Sequence, residues 1–486
     1  MKKMNLLVMS LVSAAALSFT SCSDSEDLAG NSQNKVDQFY MTLTIQTPNS
    51  NGTRTAVKDK DKVYPTEAAT SAESDVTSGT FYLVDANNKI VFKKSISKEE
   101  WAEKKIPTQG TNGKTTLQVP VENVTAGTKY SVYFLANTTS ASPLTDVYTS
   151  DLANKFAKAY STDNNFAMFN ENDADVKANS HTVVFTSDNK DANSAAKVSS
   201  IINIERLTAR IDEPKSAASA IEPYAVDATA SDEEKKANAD AVKAVKGVTL
   251  TKYAISNVAN KTYVMQQWAD ATTLSIPTGI TYFQPTTEFG TKTLLQNYGY
   301  FNTVTTDRSK KDYIFENNSS DAATSMYFEY TVELSDDYKT NADFEDGTFY
   351  RYNKVIYSRI QDIIDAYKDV KAIFNGQTKD AVIAELTAAK NDATDPEAKL
   401  DEFRKKYDIE VFNNGKTYYV QKIQDQYLGV ANTIQRNSIY LLNVKNIFNV
   451  GAQVPNGGPD DRTLYYLDVE VSVNPWVLNE QSVDFK

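Results

Sequence analysis

The sequence predicts a mainly β protein whose strands belong to sandwich- or barrel-type sheets, interrupted by two helical insertions. Three observations predict it. Segments with apolar residues at every second position recur along the chain at roughly the 8–12-residue spacing of all-β sheets. Tyr and Phe, at home on a half-buried pleated surface, number 28 and 21 among 486 residues. Only two stretches, 229–247 and 359–406, carry helical texture.

The first element is a leader. Lys2 and Lys3 form a basic n-region and Leu6 to Leu17 an apolar h-region, the layout of a signal peptide over 1–21. The run is short of the roughly 20 apolar residues a membrane-spanning helix needs. Small residues precede Cys22 in "SFTSCSDSED", which resembles a bacterial lipobox: cleavage leaves Cys22 as a new, acylated N-terminus. Phe19 departs from the usual aliphatic residue, and an incidental leader thiol is the plainer alternative. Cys22 is the only cysteine, so no intrachain disulfide exists and stability must come from core burial. The acidic run from Ser23 to Asp27 looks like the signal that sends lipoproteins of Bacteroidetes-type bacteria to the outer face of the outer membrane; a solvated tether fits the same residues.

The first strand follows. In "FYMTLTIQ", Phe39, Met41, Leu43 and Ile45 alternate with Tyr40, Thr42, Thr44 and Gln46, the signature of a half-buried strand. Pro48, Asn49, Ser50, Asn51 and Gly52 then supply loop chemistry, and in that loop sits Arg54, the first arginine of the chain. A core strand is thus joined to a basic residue in the kind of loop where nicking concentrates.

Strand texture continues with "GTFYLVD" (79–85), "KIVFKKS" (89–95), "TTLQVPV" (115–121), "KYSVYFLAN" (129–137), "HTVVFTS" (181–187) and "IINIERLTARI" (201–211). The charged, Ala-rich "TASDEEKKANADAVKAVKG" (229–247) predicts a helix ending at Gly247, near a domain boundary. Strands resume with "VTLTKYAISNV" (248–258), "YIFEN" (313–317) and "SMYFEYTVEL" (325–334). In 359–406, Ile360, Ile363, Ile364 and Tyr367 share one helical face, and Val382, Ile383 and Leu386 mark a second helix. "GKTYYVQKI", "NSIYLLNVKNI" and "TLYYLDVEVSV" return to strand, the last stopped by Pro475, and "WVLNEQSVDFK" is a strand-like tail.

Charge and chemistry exclude more than they suggest. There are 51 basic and 63 acidic residues, net −12, and a product starting at Thr55 keeps that charge because residues 1–54 hold four of each sign. An acidic chain argues against nucleic acid, whose phosphates demand clustered Lys and Arg. The only histidine, His181, opens an apolar strand and reads as an edge residue rather than a catalyst. With one cysteine, no Cys/His or Cys-rich metal site can form. No Walker loop or dinucleotide glycine motif occurs. Asp460 and Asp461 in "GGPDDRT" read as a turn, and Trp268 with "NYGYFN" (297–302) as packing aromatics before a sugar platform. Paired carboxylates for glycoside cleavage stay open, since their spacing in space is not legible. The expectation is no enzyme, no metal and no cofactor.

Together the segments resemble the type V pilins, lipoprotein-precursor fimbrial subunits of Bacteroidales, and within them the major subunit of the minor fimbrium. The resemblance rests on the lipobox, "YMTLTIQ…TR" at 40–54, "KYSVYFLAN" with Asn137 ending the strand, and "NFAMFNEND" around Met168. It continues in "ERLTARI" (205–211), with Arg210 where lysine is usual, and "YIFENNSS", with Asn318 where threonine is common. "GKTYYV" and "QRNSIYLLNVKNIFNVG" complete it through Arg436, Asn437, Tyr440 and Gly451. The two helical insertions depart from the pattern.

The resemblance implies two β-sandwich (transthyretin-like) domains, 55–212 and 213–486, behind a signal peptide (1–21) and a propeptide (22–54) lipidated at Cys22. In such pilins the precursor strand, here Phe39, Met41, Leu43 and Ile45, fills a groove until an Arg-specific surface protease removes it. Arg54 is then the scissile residue and Thr55 the mature N-terminus. A neighbour's C-terminal strand takes the vacancy by β-augmentation, and a head-to-tail contact that does not close makes a fibre. The donor face here is Val477, Asn479, Gln481, Val483 and Phe485. The implied partners are further copies of the chain, anchor and tip subunits, the protease, and the outer membrane through the lipid. The implied role is a fimbrial stalk supporting adhesion and biofilm formation; the rival is a tip adhesin or a monomeric glycan-binding surface lipoprotein.

Overall fold

The alternating segments are strands in this computed structural model. It describes residues 37–47, 69–106, 114–138, 144–153, 157–172, 177–224, 231–270, 273–283, 301–370, 372–425, 428, 432–455 and 467–475. Met1–Val36 separate as one unit, lying wholly outside those residues, and Asp37–Lys486 form the other.

The first sheet runs, in hydrogen-bonded order, through Ile90–Ile96, Gly79–Val84, Lys129–Ala136, Met168–Asn170, Ile202–Arg206, Phe39–Gln46, Lys114–Val121 and Lys105–Ile106. Thr182–Val184 adds to Lys129–Ala136, and Ala196–Lys197 adds to Phe39–Gln46. Its two ends share one core, with Phe81, Leu83, Val132 and Phe134 in the same apolar cluster as Leu43, Leu117, Val119 and Ile204. The sheet therefore curls over on itself. Period two explains how: Phe81 and Leu83 of Gly79–Val84 enter this core, while Tyr82 and Val84 enter a second cluster on the opposite face. That opposite face is covered by Leu144, Val147 and Leu152 and by Val264 and Met265 from later in the chain.

Two further sheets share the next core. One orders Lys311–Ile314, Ala209–Asp212 (continued by Lys215–Ser216), Ser438–Ile447 and Leu467–Pro475; the other orders Asn302–Thr303, Val245–Ser256, Ser325–Leu334 and Lys416–Lys422. Ile211, Tyr440 and Leu442 from the first meet Leu250, Phe328 and Tyr330 from the second. The segment read as one strand at 201–211 is two: Ile202–Arg206 belongs to the curled sheet and Ala209–Asp212 to this one.

The first helical insertion is Asp232–Ala244, capped by Ser231, whose Oγ accepts the Glu234 N–H at 3.2 Å. Ala237, Ala241 and Ala244 are its buried face. It stops before Val245, not at Gly247. Gly247 already lies in strand, where pairing of Val248 with Val332 outweighs glycine as a helix stop. The second insertion has its own core. Helices Ile360–Tyr367, Lys379–Lys390 and Pro396–Tyr407 bury Ile360, Ile363, Val382 and Leu386 against a small sheet of Phe349–Tyr352, Val355–Tyr357 and Glu410–Phe412. Ile364, Tyr367 and Ile383 pack beside them half-buried. No described helix is long and apolar enough to cross a membrane.

Candidate functional site

Phe39–Gln46 is an interior strand. On one side it pairs antiparallel with Lys114–Val121 over its whole length, from Phe39 opposite Val121 to Gln46 opposite Lys114. On the other it runs parallel to two short strands, Met41 opposite Ala196 and Ile45 opposite Ile202. Val198 N–H donates to the Thr42 carbonyl at 3.0 Å, filling part of the interval between those pairings. Among the described residues it is the strand that connects Lys114–Val121 and Lys105–Ile106 to the rest of the sheet.

Its side chains follow the sequence reading. Phe39, Met41, Leu43 and Ile45 are buried, none more than 3% exposed, and Tyr40, Thr42, Thr44 and Gln46 are half-exposed. The buried four share a cluster with Leu117, Val119, Phe134, Met168, Ile204 and Ile439. The Phe39 ring lies 5.6 Å from that of Phe185, tilted. On the wettable face, Thr44 and Thr116 share a hydrogen bond of 2.9 Å between hydroxyls, a cross-strand pair of the kind that fixes register. Just ahead of the strand, Asp37 and Lys190 make an exposed ion pair.

Taking this strand away would leave a slot flanked by two backbone edges roughly 10 Å apart, twice the ~4.8 Å strand spacing. Lys114–Val121 would expose one ladder, and Ala196–Lys197 with Ile202–Arg206 the other. The floor would present the apolar cluster that the four side chains now complete. Chemically the slot can take one thing, an extended chain with small-to-large apolar residues at alternate positions.

Downstream of the slot, the chain is pinned at Ser71–Ser74 by a buried cluster of charges. Glu73 Oε1 accepts from Arg210 Nη1, Lys311 Nζ and the Tyr313 hydroxyl, each at 3.0 Å, and Oε2 accepts the Thr70 N–H at 3.0 Å. Burial raises the cost of the Glu73 charge, but Arg210, Lys311 and the Thr70 N–H outweigh it and hold the carboxyl down at about 2. Arg206 donates to the Glu73 carbonyl, to Asn437 Oδ1 and to Ser74 Oγ at 2.8, 2.9 and 3.3 Å. Sequence reasoning missed Glu73 entirely; its ion-pair partners lie 137 and 238 residues along the chain, beyond any spacing rule.

Cys22, Arg54, Thr55, Asp460, Asp461 and the face Val477, Asn479, Gln481, Val483 and Phe485 lie outside the described residues, as do 297–300. Of the aromatic group, Phe301 is buried with its ring 5.8 Å from Tyr418, and the Trp268 indole N–H donates to the Asn172 carbonyl at 2.9 Å. His181 precedes Thr182–Val184, the strand added beside Lys129–Ala136, and is buried: its Nδ1 meets Ser200 Oγ at 2.8 Å and burial lowers its pKa. Among the described residues no group of three His, Cys, Asp or Glu could hold a metal.

Residues 410–482 match the family model for the major fimbrial subunit protein type IV, fimbrillin, C-terminal. That stretch carries strands Glu410–Phe412, Lys416–Lys422, Ser438–Ile447 and Leu467–Pro475, and includes Ile439, which reaches the cluster under the Phe39–Gln46 strand. The chain is fimbrillin-like. The chain aligns at 8% identity with a fimbrial assembly protein of Parabacteroides distasonis ATCC 8503, covering 92% of this chain and 100% of that one, TM-score 0.34. A candidate cell adhesion protein of the same strain aligns at 11% identity over 92% and 98%, TM-score 0.44. One from Bacteroides eggerthii DSM 20697 aligns at 10% over 92% and 98%, TM-score 0.39. These scores are too low for function to follow. Among curated proteins none matches the chain.

Proposed function

We propose that this chain is a structural subunit of a cell-surface fimbria that polymerises by strand exchange after proteolysis at Arg54. The observation that carries the reading is the interior position of Phe39–Gln46. A strand with partners on both edges sits only a few residues before a Pro/Asn/Gly loop and an arginine.

The energetics favour exchange over simple loss. Burying four large apolar side chains is worth roughly 1.5–3 kcal/mol each. Their sum is comparable to the ~5–15 kcal/mol net stability of a whole domain. Unpaired strand edges add to the cost of an empty slot. A subunit that has lost Phe39–Gln46 therefore gains strongly by capturing an equivalent strand from a neighbour. The donor we assign is the tail after Pro475, and repetition of a head-to-tail contact yields a fibre. Acylation at Cys22 holds the precursor at the outer membrane until cleavage frees it, and durable anchoring takes two or more acyl chains. The adhesive role in host or bacterial contact belongs to the assembled fibre.

The test is an Arg54→Ala precursor. It should keep its own strand, stay soluble and form no fibres under negative stain, whereas native fibres should yield an N-terminal sequence starting at Thr55. Fibres whose subunits start at Ser23 or Asp24 would contradict the reading.

A further inference from the structure

Among the described residues, buried cations are arginines and the most exposed ones are lysines. The chain has nine arginines among its 51 basic residues, the rest being lysine. Seven arginines are described. Arg206, Arg210, Arg351, Arg404 and Arg436 are buried, and Arg308 and Arg359 are half-buried. No lysine is among the buried residues described.

Each described arginine has its head group against an acidic side chain or a backbone carbonyl. Arg351 lies in strand Phe349–Tyr352, forks onto both Glu410 carboxylate oxygens at 2.6 Å and reaches the Val450 and Gly451 carbonyls. Arg436 donates to the Val264 and Tyr263 carbonyls and pairs with Glu316 at 2.8 Å. Arg404, in helix Pro396–Tyr407, reaches the Val411 carbonyl at 2.8 Å. Arg359 forks onto Asp362, and Arg308 faces Glu213 at 3.7 Å.

The guanidinium's bidentate geometry explains why the buried cations are arginines. It does not explain why no described arginine side chain is more than 41% exposed while those of Lys405 and Lys354 reach 75% and 60%. On an open surface the two cations do nearly the same work for solubility, so a described surface whose most exposed cations are lysines marks a selective hazard for arginine. A protease that reads arginine is that hazard, because cleavage requires several residues of extended, accessible chain around the target.

We propose that the folded body withholds its seven described arginines from arginine-specific proteolysis, so that the protease which processes the precursor leaves the mature subunit intact. This rests on the reading of Arg54 as the processing site. Cutting at a buried arginine must wait for local unfolding, and its rate follows the small open population.

The experiment compares folded full-length chain treated with an arginine-specific endoprotease or a lysine-specific one, with fragments identified by mass spectrometry. The expected result is arginine-specific cutting outside the described body only, with cuts at the seven at least about 100-fold slower than at Arg54 and restored by denaturant. The lysine-specific enzyme should cut within the body. A Lys368→Arg variant keeps the charge at an exposed position next to Val370, which is 82% exposed. It should gain a new cut at 368 with arginine-specific enzyme. Cutting of the wild type at Arg308 or Arg359 within tenfold of the rate at Arg54 overturns the proposal, and so does a Lys368→Arg chain that stays whole. Fibres from Arg54→Ala chains whose seven arginines still resist would instead remove the processing reading and leave the withholding in place.

Discussion

Glu73 shows what single residues contribute. Its carboxyl sits at about 2 instead of its ordinary 4.5, so the folded state binds its proton less readily than the unfolded chain. Stability from this carboxylate is fully present above pH 4.5 and is lost as pH falls toward 2. At about 1.4 kcal/mol per unit the effect reaches at most ~3 kcal/mol. Denaturant melts at pH 6 and pH 3 should show it, and Glu73→Gln should flatten that part of the pH dependence. Neutralising Glu73 also takes one of two carboxylates from Arg210, which keeps its fork onto Asp212 at 2.6 and 2.9 Å. The variant should therefore be less stable at neutral pH by roughly 1.5–3 kcal/mol, the range for losing hydrogen bonds to a charged group. Unchanged stability of Glu73→Gln at pH 6 would contradict this. Gly451 is a second such point: a Cβ there would stand 2.3 Å from the Tyr418 carbonyl oxygen, a backbone atom that cannot swing aside. Gly451→Ala should cost on the order of 1–3 kcal/mol in a thermal melt. Of these residues, Arg210, Arg436 and Gly451 were legible through motif order, whereas Glu73 was not, because a four-residue helix carries no periodicity of its own.

At the scale of elements, alternation was a dependable guide and partnership was not. The burial of Phe39, Met41, Leu43 and Ile45 follows directly from period two. Their place between an antiparallel and a parallel neighbour could not be read locally, since the register partners Ala196 and Ile202 lie more than 150 residues on. The helix Asp232–Ala244 lies inside the stretch read as 229–247 and ends short of Gly247, because tertiary pairing overrides a glycine stop. The second insertion read as helices alone; its three short strands carry too few residues to show alternation. The inserted strand also yields a two-sided prediction. Leu43→Ala removes buried methyl groups from a site 1% exposed and should destabilise the uncleaved precursor by about 2–5 kcal/mol. In fibres from which residues up to Arg54 have gone, the same substitution should change nothing. Equal destabilisation of precursor and fibre, by urea melts of each, would show that the strand stays in place.

If the chain up to Arg54 is removed, the question for the whole molecule is which segment would fill the slot. Strand Leu467–Pro475 is already committed: it pairs antiparallel with Ser438–Ile447 from Ser438 opposite Pro475 to Ile447 opposite Leu467. Pro475 then breaks the ladder, having no N–H to give. What remains for donation is the tail after it, whose one face is Val477, Asn479, Gln481, Val483 and Phe485. Its length suits a slot eight residues long, about 26 Å at ~3.3 Å per residue. Its composition suits the slot less well, because Asn479 and Gln481 would fall at the middle positions where Met41 and Leu43 are now buried. Leu467, Val469, Val471 and Val473 copy the period of Phe39, Met41, Leu43 and Ile45 more closely, but using them means tearing a ladder from the second core. A one-residue slip would turn either set away from the floor, so register is fixed in both cases. Deleting residues 477–486 separates the two. If the tail is the donor, the truncated chain should fold, be cut at Arg54 and remain monomeric by light scattering, and an added peptide spanning 476–486 should bind it. Long fibres from the cut, truncated protein would dismiss the tail and leave Leu467–Val473 as the donor, at the expense of its own sheet.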